Sequence, residues 1–172
     1  TVTQDIEISP IPISNFLVTE TEKCVGEIFY LTNNSSSNVI SFLYDFGDEV
    51  GISTSENPNY NYLNSGVFQV TLNVTSDLGC KDSVIQEILV HDIPLVDFLI
   101  ENNCEGEGNV FTDLSSVANS AISLVEYDFN DGVISRDSIA THIFNGYGLF
   151  NIELTATSKE GCKKSVIKTW SR

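Results

Sequence analysis

VFQVTLNVTSDLGCKDSV, from Val67 to Val84, is the stretch that decides the fold. Phe68, Val70, Leu72 and Val74 alternate with Gln69, Thr71 and Asn73. A period of two marks a half-buried strand, with one face on a core and the other in water. Leu78-Gly79 then supplies a turn signal. LFNIELTATSKEGCKKSV, from Leu149 to Val166, aligns with this stretch without a gap, 82 residues further on. Phe150, Ile152, Leu154 and Ala156 repeat the alternation.

The likeness continues upstream. YDFGD (Tyr44 to Asp48) matches YDFND (Tyr127 to Asp131). Cys24-Val25-Gly26-Glu27 matches Cys104-Glu105-Gly106-Glu107, and Pro12 with Phe16 matches Pro94 with Phe98. Self-similarity at a fixed period means that one structural unit is built twice. The expected organisation is residues 1–90 and 91–172, with the join near His91 to Ile93. Turn signals at Asn33-Asn34-Ser35, Gly47-Asp48, Asn57-Pro58 and Asn64-Ser65-Gly66 separate short strands. No window forms an amphipathic helix. The fold class is therefore all-β, two small sandwiches in series.

Of the 172 residues, 8 are basic and 24 acidic, a net charge of −16. Nucleic-acid binding needs clustered Lys and Arg, so that class is excluded, and an anionic membrane surface is disfavoured for the same reason. No apolar run is long enough to insert across a bilayer. At 41% hydrophobic residues, with ten Phe and six Tyr, the chain has material for two cores. Methionine is absent even at position 1, and the chain is expected to be an interior segment of a longer protein. Four cysteines, none in a CxxC pair, point to an oxidising, extracellular setting rather than a zinc site.

Three features arranged in order carry a resemblance. They are strand-YDFGD, then Asn57-Pro58-Asn59-Tyr60-Asn61-Tyr62, then Gly66-Val67-Phe68-Gln69-Val70-Thr71-Leu72-Asn73-Val74. This series resembles the PKD domain, whose family pattern is approximately WDFGDG, NPxHxY and GxYxVTLxV. The resemblance covers almost the whole chain, twice, and implies an immunoglobulin-like sandwich of seven strands in each copy. Tyr44 and Tyr127 stand where the family has Trp. Glu49 replaces a second Gly in the first copy, and Asn130 replaces the first Gly in the second. Asn is the non-glycine residue best suited to positive φ, so the turn is expected to survive there. Tyr60 replaces the family's His, which His142 keeps.

The signature residues are Tyr44, Asp45, Phe46, Gly47 and Asp48, with Tyr127, Asp128, Phe129, Asn130 and Asp131 in the second copy. Their carboxylates could be an acid–base pair, or acceptors for backbone N–H groups in a tight turn. Both copies carry them and no nucleophile accompanies them, so the turn role is expected. His142 is expected to be packed and hydrogen-bonded. Trp170 aligns with Ile88 and is expected in the core.

In such a sandwich Cys24 opens the second strand at one end, and Cys80 lies in the last hairpin at the other. A disulfide needs Cα atoms about 4.4–6.8 Å apart. An inter-repeat bond, Cys24–Cys162, is one expectation, and the intra-repeat pairs Cys24–Cys80 and Cys104–Cys162 are the alternative. No organic cofactor is expected. Calcium, which some members of the family bind, has candidate ligands in Asp92, Asp97 and Glu101. The resemblance implies a non-catalytic stalk or adhesin segment of a secreted bacterial cell-surface protein, of the gliding-motility or attachment type. Its partners would be neighbouring repeats and surface polysaccharide or protein ligands, with the segment itself monomeric. The alternative is an accessory substrate- or carbohydrate-binding module of an extracellular hydrolase.

Overall fold

The computed structural model describes residues 10–101 and 107–171 and contains strands and loops, with no helix among them. The chain divides into two compact units, Thr1–Val90 and His91–Arg172. No helix among the described residues is long and apolar enough to cross a membrane.

The first unit holds β1 (Phe16–Val18), β2 (Glu22–Cys24), β3 (Ile28–Asn33), β4 (Val39–Asp45), β5 (Ile52–Ser53), β6 (Asn59–Asn61), β7 (Gly66–Ser76) and β8 (Lys81–His91). They form two sheets, β1-β3-β6 and β2-β8-β7-β4-β5. The second unit holds β9 (Phe98–Glu101), β10 (Asn109–Asp113), β11 (Ile122–Asp128), β12 (Ile134–Ser135), β13 (Ile139–His142), β14 (Leu149–Ser158) and β15 (Lys163–Ser171). Its sheets are β13-β10-β9 and β12-β11-β14-β15. The expected seven strands compare with eight in the first unit, where the short β2 lies along β8. Among the described residues of the second unit there are seven. Residues 102–106 lie outside the description.

The period of two sets the register. Val70, Leu72 and Val74 are buried on one face of β7, as are Ile152, Leu154 and Ala156 on β14. Each core is aromatic. Phe16, Phe29, Tyr44, Phe46 and Tyr62 fill the first, and Phe98, Phe111, Tyr127, Phe129 and Phe144 fill the second. Each such burial stabilises by about 2 kcal/mol or more. Trp170 lies opposite Phe150 across the β14–β15 ladder and packs on the second core, where Ile88 lies opposite Phe68 in the first.

One residue explains a difference in strand length. Pro58 has no N–H to give, so β6 begins only at Asn59 and pairs three residues with β3. The second unit has Ala140 at the corresponding place, and β13 pairs four residues with β10, Ile139 to His142. In both units a polar side chain interrupts the inward face of the last strand and links the two sheets. Gln86 donates to the carbonyl of Phe16, and Lys168 donates to that of Phe98. Lys168 also pairs with Asp97 at 2.7 Å and lies 5.0 Å from the centre of the Phe98 ring.

Candidate functional site: a turn clamp built twice

The signature residues converge on the turn after β4 and on its copy after β11. In the first unit Asp45 Oδ1 accepts from the N–H of Gly47 at 2.9 Å. Asp48 Oδ1 accepts from the N–H of Gly51 at 2.7 Å and of Val50 at 3.3 Å, and its Oδ2 accepts from the Tyr60 hydroxyl at 2.6 Å. These are the bonds by which Asp stabilises tight turns. Burial raises the Asp48 carboxyl, but the Tyr60 hydroxyl and the turn amides outweigh it and leave the group lowered. The same hydrogen bond, with burial behind it, pushes the Tyr60 hydroxyl up to about 12.

The second unit repeats the plan with other side chains. Asp128 Oδ1 accepts from the N–H of Asn130 at 2.8 Å, and Asp131 Oδ1 accepts from that of Val133 at 3.1 Å. His142 Nε2 faces Asp131 Oδ2 at 2.8 Å. A nitrogen facing a carboxylate carries the proton, so His142 donates here as Tyr60 does. His142 is buried and stacked on Phe129 at 4.2 Å, as Tyr60 stacks on Phe46 at 3.9 Å. Edge-on contacts follow, Tyr60 to Tyr62 at 4.9 Å and His142 to Phe144 at 4.5 Å. Then comes a second stack, Tyr62 on Phe68 at 4.2 Å and Phe144 on Phe150 at 4.3 Å.

Backbone geometry accounts for the two substitutions in the motif. Gly47 has φ 75°, and a Cβ there would stand 2.5 Å from the carbonyl oxygen of Gln69. Asn130 occupies the equivalent place at φ 58°, and its amide donates to the carbonyl of Asn151 at 3.0 Å. Two positions on, Gly132 has φ 93° and Glu49 has φ 70°. The first unit thus holds an ordinary side chain in the left-handed region where the second has glycine.

Comparison with known proteins agrees with this geometry. The family model of the PKD domain matches residues 10–90. The pre-pro-metalloprotease PrtV of Vibrio cholerae is 31% identical over 137 residues, covering 78% of this chain and 15% of that protein. An alignment of that length is longer than either unit and so reaches into both. The chain belongs to the PKD family. Among solved structures, the first PKD domain of the V. cholerae metalloprotease PrtV is 34% identical, covering 47% of this chain and 98% of that one, with a TM-score of 0.42. The PKD1 domain of Vibrio anguillarum Epp is 17% identical, covering 47% of this chain and 94% of that one, with a TM-score of 0.44.

The remaining candidates scatter. Cys80, in the β7–β8 turn of the first PKD domain, is a free thiol, whereas Cys24 and Cys162 are each disulfide-bonded. The Cys24–Cys80 alternative is therefore not formed, and the geometry of the domain says why. The carbonyl of Thr21 accepts from the N–H of Leu89. Leu89 lies nine residues along the chain from Cys80, about 30 Å of extended strand. Cys24 is only three residues from Thr21, too few to close that gap. Cys104 and its neighbours 102–106 lie outside the described residues.

The calcium candidates do not meet. Asp97 is held by Lys168, which lowers its carboxyl, and the N–H of Phe98 adds to that effect. Asp92 accepts from the Asn119 amide at 3.2 Å, and Glu101 ends β9. Among the described residues no group of three or more His, Cys, Asp or Glu could hold a metal ion.

Sequence reasoning missed the Gln86 and Lys168 links between sheets. Their signal was present: each puts a polar residue on the inward side of an otherwise apolar alternation. It also missed the Tyr62 hydroxyl, which is buried and donates to the carbonyl of Phe46 at 2.7 Å.

Proposed function

We propose that this chain is a non-catalytic spacer within a larger extracellular bacterial protein, carrying its neighbours rather than transforming a substrate. One observation supports the reading above others. The same clamp is built twice, and in each copy the signature carboxylates accept hydrogen bonds from their own turn. Residues committed to a turn in both copies are fold determinants. The chain spans 15% of the curated relative it matches, which fits a module of a long protein.

Within that role the leading reading is a stalk or adhesive segment at a bacterial surface, of the attachment or gliding-motility type, acting as a monomer against neighbouring repeats and surface ligands. The likeness to a metalloprotease favours a second reading, an accessory segment of a secreted hydrolase. We also hold to an inter-repeat bond, Cys24–Cys162. The disulfide-bonded state of both cysteines and the free thiol of Cys80 support it.

The bond has a mechanical consequence that tests the reading. Force applied at the termini bypasses whatever a disulfide encloses. A Cys24–Cys162 bond encloses roughly 138 residues, about 500 Å of extended chain at ~3.6 Å each. In single-molecule pulling the oxidised chain is expected to show neither domain unfolding at full length. After reduction two events appear and about 500 Å is gained. Two full events without reductant, or recovery of a Cys24–Cys80 peptide in a non-reducing digest, would refute the staple. Turnover of peptide or glycan substrates by the isolated chain would refute the spacer.

A further inference from the structure

We propose that the first PKD domain carries a docking cleft for a lysine side chain of a partner protein, formed between the β4–β5 turn and the loop after β6. The cleft encloses about 290 Å³ and is lined by Asp48, Tyr60, Asn61, Leu63, Asn64 and Phe68 among others. That is just below the ~300–1,000 Å³ usual for small-molecule pockets, a size suited to one extended side chain. Val50 and Leu63 stand at its rim, 80% and 79% exposed. Both side chains are therefore open to a guest in the cleft.

The lining chooses the guest by chemistry. It contains a carboxylate, aromatic rings and two neutral amides, and no basic residue. An anion is rejected by Asp48 and by the net charge of −16. A neutral sugar would use the rings and amides but would leave the aliphatic rim unmatched. A lysine matches all of it. Its four-carbon stem lies along Val50, Leu63 and Phe68, its ammonium faces Asp48 and the π-face of an aromatic ring, and its backbone meets Asn61 and Asn64. Arginine fits less well. Asp48 Oδ1 already accepts from two turn amides and Oδ2 from Tyr60, so at most one lone pair is left for a guest. A point cation can use a single lone pair, whereas a guanidinium fork is made for two oxygens.

The second domain provides an internal control. At the same corner Ile143 replaces Asn61, Asn145 replaces Leu63 and Gly146 replaces Asn64. Leu63 and the amides of Asn61 and Asn64 are lost there, while Val133 keeps the place of Val50 and Asn145 brings a single amide.

The test is an NMR titration of the whole 172-residue chain with the capped peptide acetyl-Gly-Lys-Gly-amide. Parallel titrations carry norleucine, Nε-acetyl-lysine or arginine in place of the lysine. Shifts are expected at Tyr60, Asn61, Leu63, Asn64 and Phe68, saturating in the millimolar range. Norleucine and acetyl-lysine should bind about tenfold or more weaker, and arginine severalfold weaker. Leu63→Ser, on an exposed side chain, should weaken binding severalfold with the unfolding curve unchanged. Tyr60→Phe keeps the ring and frees a lone pair on Asp48, and should not weaken it. Equal binding of norleucine or acetyl-lysine would overturn the proposal. So would arginine binding as tightly as lysine, shifts spread over both domains, or no saturable shift.

Discussion

The two PKD domains build one turn with different residues, and the differences fall into compensating pairs. In the first domain Gly47 leaves room for the Gln69 carbonyl, and in the second Asn130 reaches the corresponding Asn151 carbonyl with its own amide. In the first domain Tyr60 donates to Asp48, and in the second His142 donates to Asp131. Both rings stack on the same phenylalanine of the motif. What the fold requires is therefore a donor to the turn carboxylate mounted on a flat ring, together with a backbone that tolerates positive φ. Trp170 is the only tryptophan of the chain and belongs to the second domain, so its fluorescence follows that domain alone. The comparison can be probed in a single sample.

The largest expected effect comes from the two unequal solutions to positive φ. Gly47→Ala places a Cβ against a backbone oxygen of the neighbouring strand, which cannot withdraw as a flexible side chain can. Clash and left-handed strain together should cost the first domain about 3 kcal/mol. Asn130→Ala in the second domain loses one exposed hydrogen bond and some conformational preference, about 1–1.5 kcal/mol. Urea unfolding followed by far-UV circular dichroism and by Trp170 fluorescence separates the domains. A larger loss for Asn130→Ala would mean that the close approach at Gly47 is not what holds that turn.

Alkaline pH should act on the first domain before the second. Tyr60 is pushed up to about 12, first by its bond to Asp48, and Tyr44 to about 12 by burial. Tyr62 is also raised, by burial first. In the second domain His142 and Phe144 replace two of these three, leaving Tyr127, raised by burial. An unfolded tyrosine titrates near 10. Below that pH every hydroxyl keeps its proton in both states and the stabilisation is complete. It drains away as pH rises through about 12. For Tyr60 the full separation is worth roughly 2.7 kcal/mol, reduced to about 1–2 by solvent at the cleft. The dichroism midpoint should therefore fall between pH 10 and 12 before the tryptophan signal changes. Simultaneous loss would mean that these tyrosines do not set the alkaline limit. Tyr60→His should narrow the gap between the domains.

Much of this comparison was legible in the sequence. The strands were, because Val70, Leu72 and Val74 alternate with polar residues over a length that no loop sustains. The turn role of Asp48 and Asp131 was too, because both copies carry them beside residues suited to positive φ. The positive φ of Glu49 was visible only as a departure from the family pattern. Pairings at long range were not legible. Gln86 meets a carbonyl 70 residues away, and Ser14 donates to Asp82 across 68 residues. Sequence spacing carries no distance information once the chain has crossed between sheets. The exposure of Val50 and Leu63 was hidden for a related reason: an apolar residue in a turn looks the same in sequence whether it packs or protrudes.

Glu49→Gly makes a smaller, opposite prediction. It installs in the first domain the residue that the second already has at that place. Relief of a left-handed side chain should stabilise by about 1 kcal/mol, part of it offset by the greater freedom of the unfolded chain. The gain should appear in the dichroism transition and leave the tryptophan transition unmoved. A loss would show that the Glu49 side chain contributes something beyond its backbone.

The two core tyrosines give the most asymmetric effect. Tyr44 and Tyr127 occupy the same core position, stacked over the motif phenylalanine at 6.4 and 6.0 Å. The Tyr44 hydroxyl donates to the carbonyl of Glu56 at 3.2 Å. The Tyr127 hydroxyl is buried and has no hydrogen-bond partner among the described residues. A buried hydroxyl with a partner contributes about 1 kcal/mol, and one without carries its desolvation cost unrelieved. Tyr44→Phe should therefore cost the first domain about 1 kcal/mol and leave the Glu56 carbonyl unsatisfied. Tyr127→Phe should be neutral, or raise the stability of the second domain by a few tenths of a kcal/mol, read from Trp170. Equal losses in the two domains would mean that Tyr127 bonds a buried water, and the asymmetry between the cores would then vanish.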